Sequence, residues 1–162
     1  MSAPPTTSAA YATFGSSGST TPRAVGIWLL LCAAMVLAMA VIGAITRLTE
    51  SGLSIMEWAP ITGILPPLSQ AEWERVFELY RQIPEYAQEN AGMSLEEFRT
   101  IFWWEYIHRL WGRLIGLVFA LPLAWFWLRG RLSRPLAVKL LIAFALGAAQ
   151  GGLGWFMVAS GF

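Results

Sequence analysis

The chain has 162 residues, enough for one soluble domain of ordinary size, yet 56% of them are apolar and only 13% charged, against roughly 45–50% and 25% in soluble proteins. The net charge of +1 and the single cysteine exclude a polyanion-binding surface, nucleic acid included, and an internal disulfide framework. Asp is absent, and the apolar residues gather in three blocks, the pattern of an integral membrane protein.

Residues 1–24 are rich in Ser, Thr, Ala, Pro and Gly, with no charge before Arg23. They predict a disordered N-terminal tail, since a transit peptide would be Arg-rich and amphipathic. Residues 25–45, Val25 to Ile45, carry no charge over twenty-one positions. At about 1.5 Å per residue this is long enough to cross a hydrocarbon core of about 30 Å, and it predicts span one. Ala38-Met39-Ala40 resembles a signal-peptidase site, but the apolar run continues through Val41, Ile42 and Ile45, which favours an uncleaved span.

Residues 46–109 predict a helical loop that runs into the second span. Gly52, Pro60, Gly63, Pro66 and Pro67 mark an irregular connection first. Ser69-Gln-Ala-Glu72 is a capping box opening a helix through Trp73, Phe77 and Tyr80, with Pro84 shortly beyond. Ser94-Leu-Glu-Glu97 is a second box, and no breaker follows until Pro122, so one helix is predicted from about Leu95 into the membrane. Residues 110–128 predict span two, its uncharged core from Leu114 to Leu128 bounded by arginines able to snorkel. Residues 129–139 predict a basic link with Arg129, Arg131, Arg134 and Lys139 and no acid. Residues 140–158 predict span three, whose Gly147, Gly151, Gly152 and Gly154 suit close approach of another helix. Residues 159–162 form the C-terminus. The fold class is all-α, a polytopic transmembrane helix bundle with a small helical outer cap.

Orientation follows from charge. All ten acids are Glu and lie between Glu50 and Glu105; with five Arg from Arg47 to Arg109 that segment carries −5. The short basic link is therefore expected to be cytoplasmic, the acidic loop and C-terminus outside, and the N-terminus inside.

One stretch combines chemistry-bearing residues, Trp103-Trp104-Glu105-Tyr106-Ile107-His108-Arg109-Leu110-Trp111-Gly112-Arg113. It holds the one histidine of the chain where the loop helix enters the membrane. At about 100° per residue Glu105 and His108 share a face. Gly112 and Gly116 lie below them, leaving a notch with aromatic walls, and Arg109 and Arg113 stand one turn apart at the aqueous edge. This suits haem: an imidazole for iron, a close-approach surface for the ring, and cations for propionates. A carboxylate one turn away suits proton transfer. A plainer arrangement fits the same residues, with His108 and the tryptophans as interfacial anchors and Glu105–Arg109 as an i, i+4 ion pair. A zinc protease site is not supported, because there is no second histidine.

The sequence resembles the haem A synthase family, in the form found in mitochondria and related bacteria, over the amino-terminal half. The resemblance runs from about Ala24 onward. It rests on Gly43-Ala-Ile-Thr-Arg-Leu-Thr-Glu-Ser-Gly-Leu-Ser-Ile-Met-Glu-Trp58, Pro60-Ile-Thr-Gly-Ile-Leu-Pro-Pro67, Glu72-Trp73, Pro84-Glu-Tyr86, Phe98, Glu105-Tyr-Ile-His-Arg109 and Gln150-Gly-Gly-Leu-Gly-Trp-Phe-Met-Val-Ala-Ser-Gly161. It implies an oxidoreductase that converts the C8 methyl of haem O into a formyl group, giving haem A for terminal oxidases. It also implies eight spans in two four-helix halves, each half with a pair of haem-ligating histidines. His108 matches the first histidine of the amino-terminal pair, as axial ligand to substrate-haem iron. Glu105 matches the acid needed for oxidation, and Arg109 and Arg113 would be cofactor-binding. Haem b is expected in the other half. The outer-loop cysteine pair of other members is absent, and Cys32 sits in span one. The second histidine is expected on a fourth span beyond Phe162, so the chain is expected to be a truncated or split piece and an incomplete enzyme alone. Implied partners are haem O, the lipid bilayer, the remaining half or a partner chain, haem O synthase and an electron acceptor. The implied location is a bacterial inner membrane, with the mitochondrial inner membrane as the alternative. A competing expectation is a non-catalytic membrane module that assists oxidase assembly or packs with a partner subunit.

Overall fold

The computed structural model describes residues 22–57 and 64–160; Trp58, Pro60, Gly63, Gly161 and most of the N-terminal tail lie outside the described residues. Among the described residues every regular element is a helix: α1 (Arg23–Leu48), α2 (Gln70–Arg81), α3 (Pro84–Glu89), α4 (Leu95–Leu128) and α5 (Arg134–Ser160). α1, α4 and α5 are each long and apolar enough to cross a membrane. Large apolar side chains such as Leu30, Leu37, Leu121 and Leu146 point outward from them, as befits helices bathed in lipid.

α1 extends past Ile45 and Arg47 because hydroxyls take up its terminal carbonyls. Thr46 and Thr49 donate to the carbonyls of Ile42 and Ile45, each at 2.9 Å, and Ser51 to that of Thr46 at 3.0 Å. The Ser51 amide bonds the Thr46 carbonyl and the Glu50 amide that of Arg47, a Schellman closure. It places Glu50 at a left-handed φ of 50°, where glycine is usual.

Beyond this turn a small cap forms, and both capping boxes close, Ser69 with Glu72 and Ser94 with Glu97. Trp73, Phe77 and Tyr80 recur at helical spacing on one face of α2 and bury against Phe98, Ile101 and Phe102 of α4. Phe77 stacks on Phe98 and Trp73 meets Phe102 edge-on, both at 4.8 Å. Pro84 opens α3, in the first turn where its missing N–H costs nothing. Burial pushes the Tyr80 phenol up to about 12, and its oxygen accepts from Asn90 at 2.7 Å.

α4 is one uninterrupted helix of 34 residues, roughly 50 Å long. Its first turns carry the cap and the rest packs antiparallel to α1. Pro122 lies inside it and cannot donate to the Val118 carbonyl four residues back. The Trp28 indole of α1 fills that gap, donating to the Val118 carbonyl at 2.8 Å. Trp111 of α4 does the reverse, donating to the Met35 carbonyl of α1 at 3.0 Å.

α5 begins at Arg134, inside the segment 129–139 expected to be a link. Pro135 falls in its first turn, where it favours a helix start, and the Ala137 amide bonds the Ser133 carbonyl at 2.9 Å. The basic connection thus shortens to residues 129–133, and Arg134 and Lys139 stand on the helix. Gly130 closes α4 at a φ of 63°. α5 likewise runs to Ser160, into the segment expected as the C-terminal tail. Its first half joins Leu140 to a core of Val25, Trp28, Cys32, Leu123 and Phe126. Around Gly147, Gly151, Gly152 and Gly154 there is open space.

Candidate functional site

Glu105, His108, Arg109 and Arg113 stand on consecutive turns of α4, where the cap meets the apolar part of the bundle. The turn after α1 determines the surroundings of Glu105. Ser51 and Ser54 are buried there, and the chain at 54–55 lies against α4. One Glu105 carboxylate oxygen accepts from the Ser54 hydroxyl and from the Ile55 amide, both at 2.7 Å. The other accepts from Arg109 Nε at 2.8 Å and from Arg109 Nη2. The side chain is 2% exposed, so four donors satisfy a carboxylate closed off from solvent. Arg109 reaches further, donating to the carbonyls of Ile55 and Glu57. The i, i+4 ion pair expected as the plainer arrangement is therefore present, and it ties the turn to the helix.

His108 is half-buried and faces α1. A Cβ built on Gly43 would lie 3.4 Å from His108 Nε2 and 3.8 Å from Cδ2. The Nε2 edge of the imidazole therefore meets a position with no side chain. The notch expected below the histidine is only partly open. Gly112 is covered by Met39, whose Cε would be 3.5 Å from a Cβ there, whereas Gly116 faces open space. Among the described residues no three His, Cys, Asp or Glu side chains come together as a metal site.

Arg109 and Arg113 line a cavity of about 370 Å³ between the loop and α4, with Tyr106, Phe102, Glu57 and Arg75 among its other walls. The Tyr106 hydroxyl donates to the Ile64 carbonyl, closing one side. Arg75 forks onto Glu57 at 2.8 and 3.0 Å and holds its carboxyl below the usual carboxylate range. Sequence reasoning reaches all four α4 residues but not Gly43, Ser54 or Ile55. A signal for Ser54 exists in the run of small hydroxylated residues directly after an apolar helix, which needs a polar partner if it is buried.

The cytochrome oxidase assembly protein family, COX15-CtaA, matches residues 26–162. The chain belongs to this family. It is 66% identical over 140 residues to a heme A synthase of Rhodospirillum centenum, covering 86% of this chain and 37% of that protein. Over 139 residues it is 57% identical to a heme A synthase of Nitrosospira multiformis, 86% of this chain and 39% of that one. Over 147 residues it is 58% identical to one of Rhodopseudomonas palustris, 91% and 41%. The chain thus spans about two fifths of the length of these curated relatives. No solved structure matches it. Family membership and three helices apolar enough to cross a bilayer make it a membrane protein.

Proposed function

We propose that the chain is the amino-terminal part of a haem A synthase, which oxidises the C8 methyl group of haem O to the formyl group of haem A. The observation that carries the reading is the chain's one histidine, lying within the region matched to this family and opposite a glycine. The donor types suit an iron porphyrin, an imidazole with guanidinium groups on the same helix for propionates, and α1 at Gly43 would have to draw back from His108 Nε2 to admit the ring. His108 would hold the iron, with Arg109 and Arg113 on the propionate side. Haem brings the methyl group to be oxidised. A second haem, haem b, would belong to the part of the relatives that this chain does not span.

Turning a methyl group into a formyl group adds an oxygen atom, taken from water, and releases protons and electrons, so water, a proton acceptor and an electron acceptor are all required. Glu105 is the proposed proton acceptor. Of its four donors, only the Ser54 hydroxyl can both give and take a proton. The Ser54 hydroxyl, buried like the carboxylate, would be the last group to pass a proton to Glu105. The remaining partners of the reading are haem O synthase as supplier and the rest of the synthase. The proposed setting is a bacterial inner membrane with the N-terminus cytoplasmic and the cap outside, supported by the ten Glu of the cap segment against the basic connection.

The open glycine face of α5 favours a second reading, a non-catalytic module that packs with a partner subunit. Haem titration of the chain in nanodiscs separates the two. The enzyme reading expects a Soret band whose position changes in His108→Ala. It also expects native membranes carrying Glu105→Ala to retain ligated haem while haem A formation stops. A spectrum indifferent to His108→Ala would overturn it.

A further inference from the structure

We propose that residues 64–68, in the loop between α1 and α2, lie in the headgroup–acyl boundary of the bilayer on the cap side and anchor the loop to lipid; the proposal rests on the membrane setting and not on the haem reading. Depth follows from the seam of α1 and α4. Trp28 meets Val118, Met35 meets Trp111 and Gly43 meets His108. The level of His108 thus falls two residues short of Ile45, where the uncharged run of α1 ends. At about 1.5 Å per residue that is about 3 Å inside the run, and Arg113, five residues on, is about 7.5 Å deeper. Leu65, Pro66, Pro67 and Leu68 wall the cavity they share with Tyr106, Arg109 and Arg113. They stand between those levels, close to the roughly 5–10 Å that interfacial segments reach.

The side chains and the backbone both suit that place. Ile64, Leu65 and Leu68 are 46%, 70% and 77% exposed, three large apolar groups in five residues, and such patches mark contact surfaces. Irregular backbone is tolerated next to hydrocarbon only where its polar groups are met. Pro66 and Pro67 have no N–H to satisfy. The Leu68 amide donates to the Glu72 carboxylate at 2.7 Å, and the Ile64 carbonyl accepts from the Tyr106 hydroxyl. A protein partner could supply donors of its own; lipid supplies few, and this segment has brought its own. Neighbouring charges do not oppose the placement, since Arg75 is forked onto Glu57 and an arginine such as Arg113 can snorkel toward the headgroups.

The experiment uses the whole chain in nanodiscs, without haem. Nitroxide labels on Leu65→Cys and Leu68→Cys, in a Cys32→Ala background, are read by power-saturation electron paramagnetic resonance. Oxygen, which enters lipid, and a nickel chelate, which stays in water, are the collision reagents. Leu37→Cys, on the outward face of α1, and Glu74→Cys, exposed on α2, give the lipid and water limits. Both loop labels should favour oxygen over nickel several-fold more than the label at position 74 does. A ratio equal to that at position 74 overturns the proposal. Exclusion of both reagents overturns it too, because a protein surface would then cover the segment. If the cysteine variants do not fold by circular dichroism, the unaltered chain decides. A bilayer-restricted carbene photolabel should mark residues 64–68 as it marks the outward leucines of α1, and marking confined to the helices overturns the proposal. Failure of the haem reading would leave each of these outcomes as it is.

Discussion

Trp28→Phe tests how a proline is accommodated within α4. Pro122 leaves the Val118 carbonyl without its helical donor, and the Trp28 indole replaces that donor at 2.8 Å. Phenylalanine keeps a six-membered ring against Phe119 and Phe126, which Trp28 meets at 5.4 and 5.6 Å, and loses the N–H together with the packing of the smaller indole ring, so the hydrogen bond is read as the coupling with Pro122. A buried acceptor left unpaired costs about 1–3 kcal/mol, while hydrogen bonds between membrane helices average about 0.6 and reach about 1.7 kcal/mol. Val118 has no second donor from its own helix, so the upper part of that membrane range applies, about 1.5 kcal/mol. This is roughly tenfold in the unfolding constant. Pro122→Ala restores a backbone N–H for the same carbonyl, and in that background Trp28→Phe should cost about 1.5 kcal/mol less than in wild type. The assay is a double-mutant cycle by steric trapping in bicelles, with far-UV circular dichroism confirming helix content. Equal costs in both backgrounds would refute the reasoning and leave ring packing as the indole's whole contribution.

The other predictions concern the cap and its junction. Arg109→Ala leaves the Glu105 carboxylate buried without its cation and should destabilise the cap by about 3–5 kcal/mol. Adding Glu105→Gln should recover most of that loss in urea unfolding, and a double variant no better than the single would refute it. Burial, then the charges of Glu50 and Glu89, holds the Glu85 carboxyl above its usual value, so the folded cap binds that proton more tightly than the unfolded chain. Cap stability should be fully present below the ordinary carboxylate value, about 4.3, and fall as pH rises through the folded value. Glu85→Gln should abolish that fall in hydrogen exchange of α2 and α3, and an unchanged pH profile would exclude Glu85 as its source. Alkaline phosphatase fused at Ala91 should be active and the same fusion after Ser133 inactive; a cytoplasmic readout at Ala91 would invert the topology.

Local chemistry accounts for what was legible beforehand. The Ser69 and Ser94 boxes are closed by residues three positions away, so their outcome depends little on distant packing. The continuous α4 follows from the absence of any breaker between Ser94 and Pro122. Glu105, His108, Arg109 and Arg113 could be grouped because one helix spaces them. Gly43 and Ser54 could not, because they reach α4 only through the antiparallel register of α1 and the turn that follows it. The same distance explains Gly112, which spacing leaves bare and Met39 covers. At α5 the helix starts ahead of the apolar run: Pro135 and the basic residues look like link, yet proline is at home in a helix's first turn.

The two tryptophan bonds have a consequence for alignment. Trp28 and Met35 are seven residues apart on α1, as Trp111 and Val118 are on α4, and the bonds run in opposite directions. They act as two pegs in one seam. Sliding a helix by one turn, about 5.4 Å, would draw both pegs at once, and neighbouring carbonyls on α4 already have helical donors, so the Trp28 peg has no equivalent hole to enter. The same slide would bring Met39 or Arg47 toward the place that Gly43 occupies before His108. The bare position opposite the imidazole is thus indexed from the far half of the bundle by a vacancy that one proline creates.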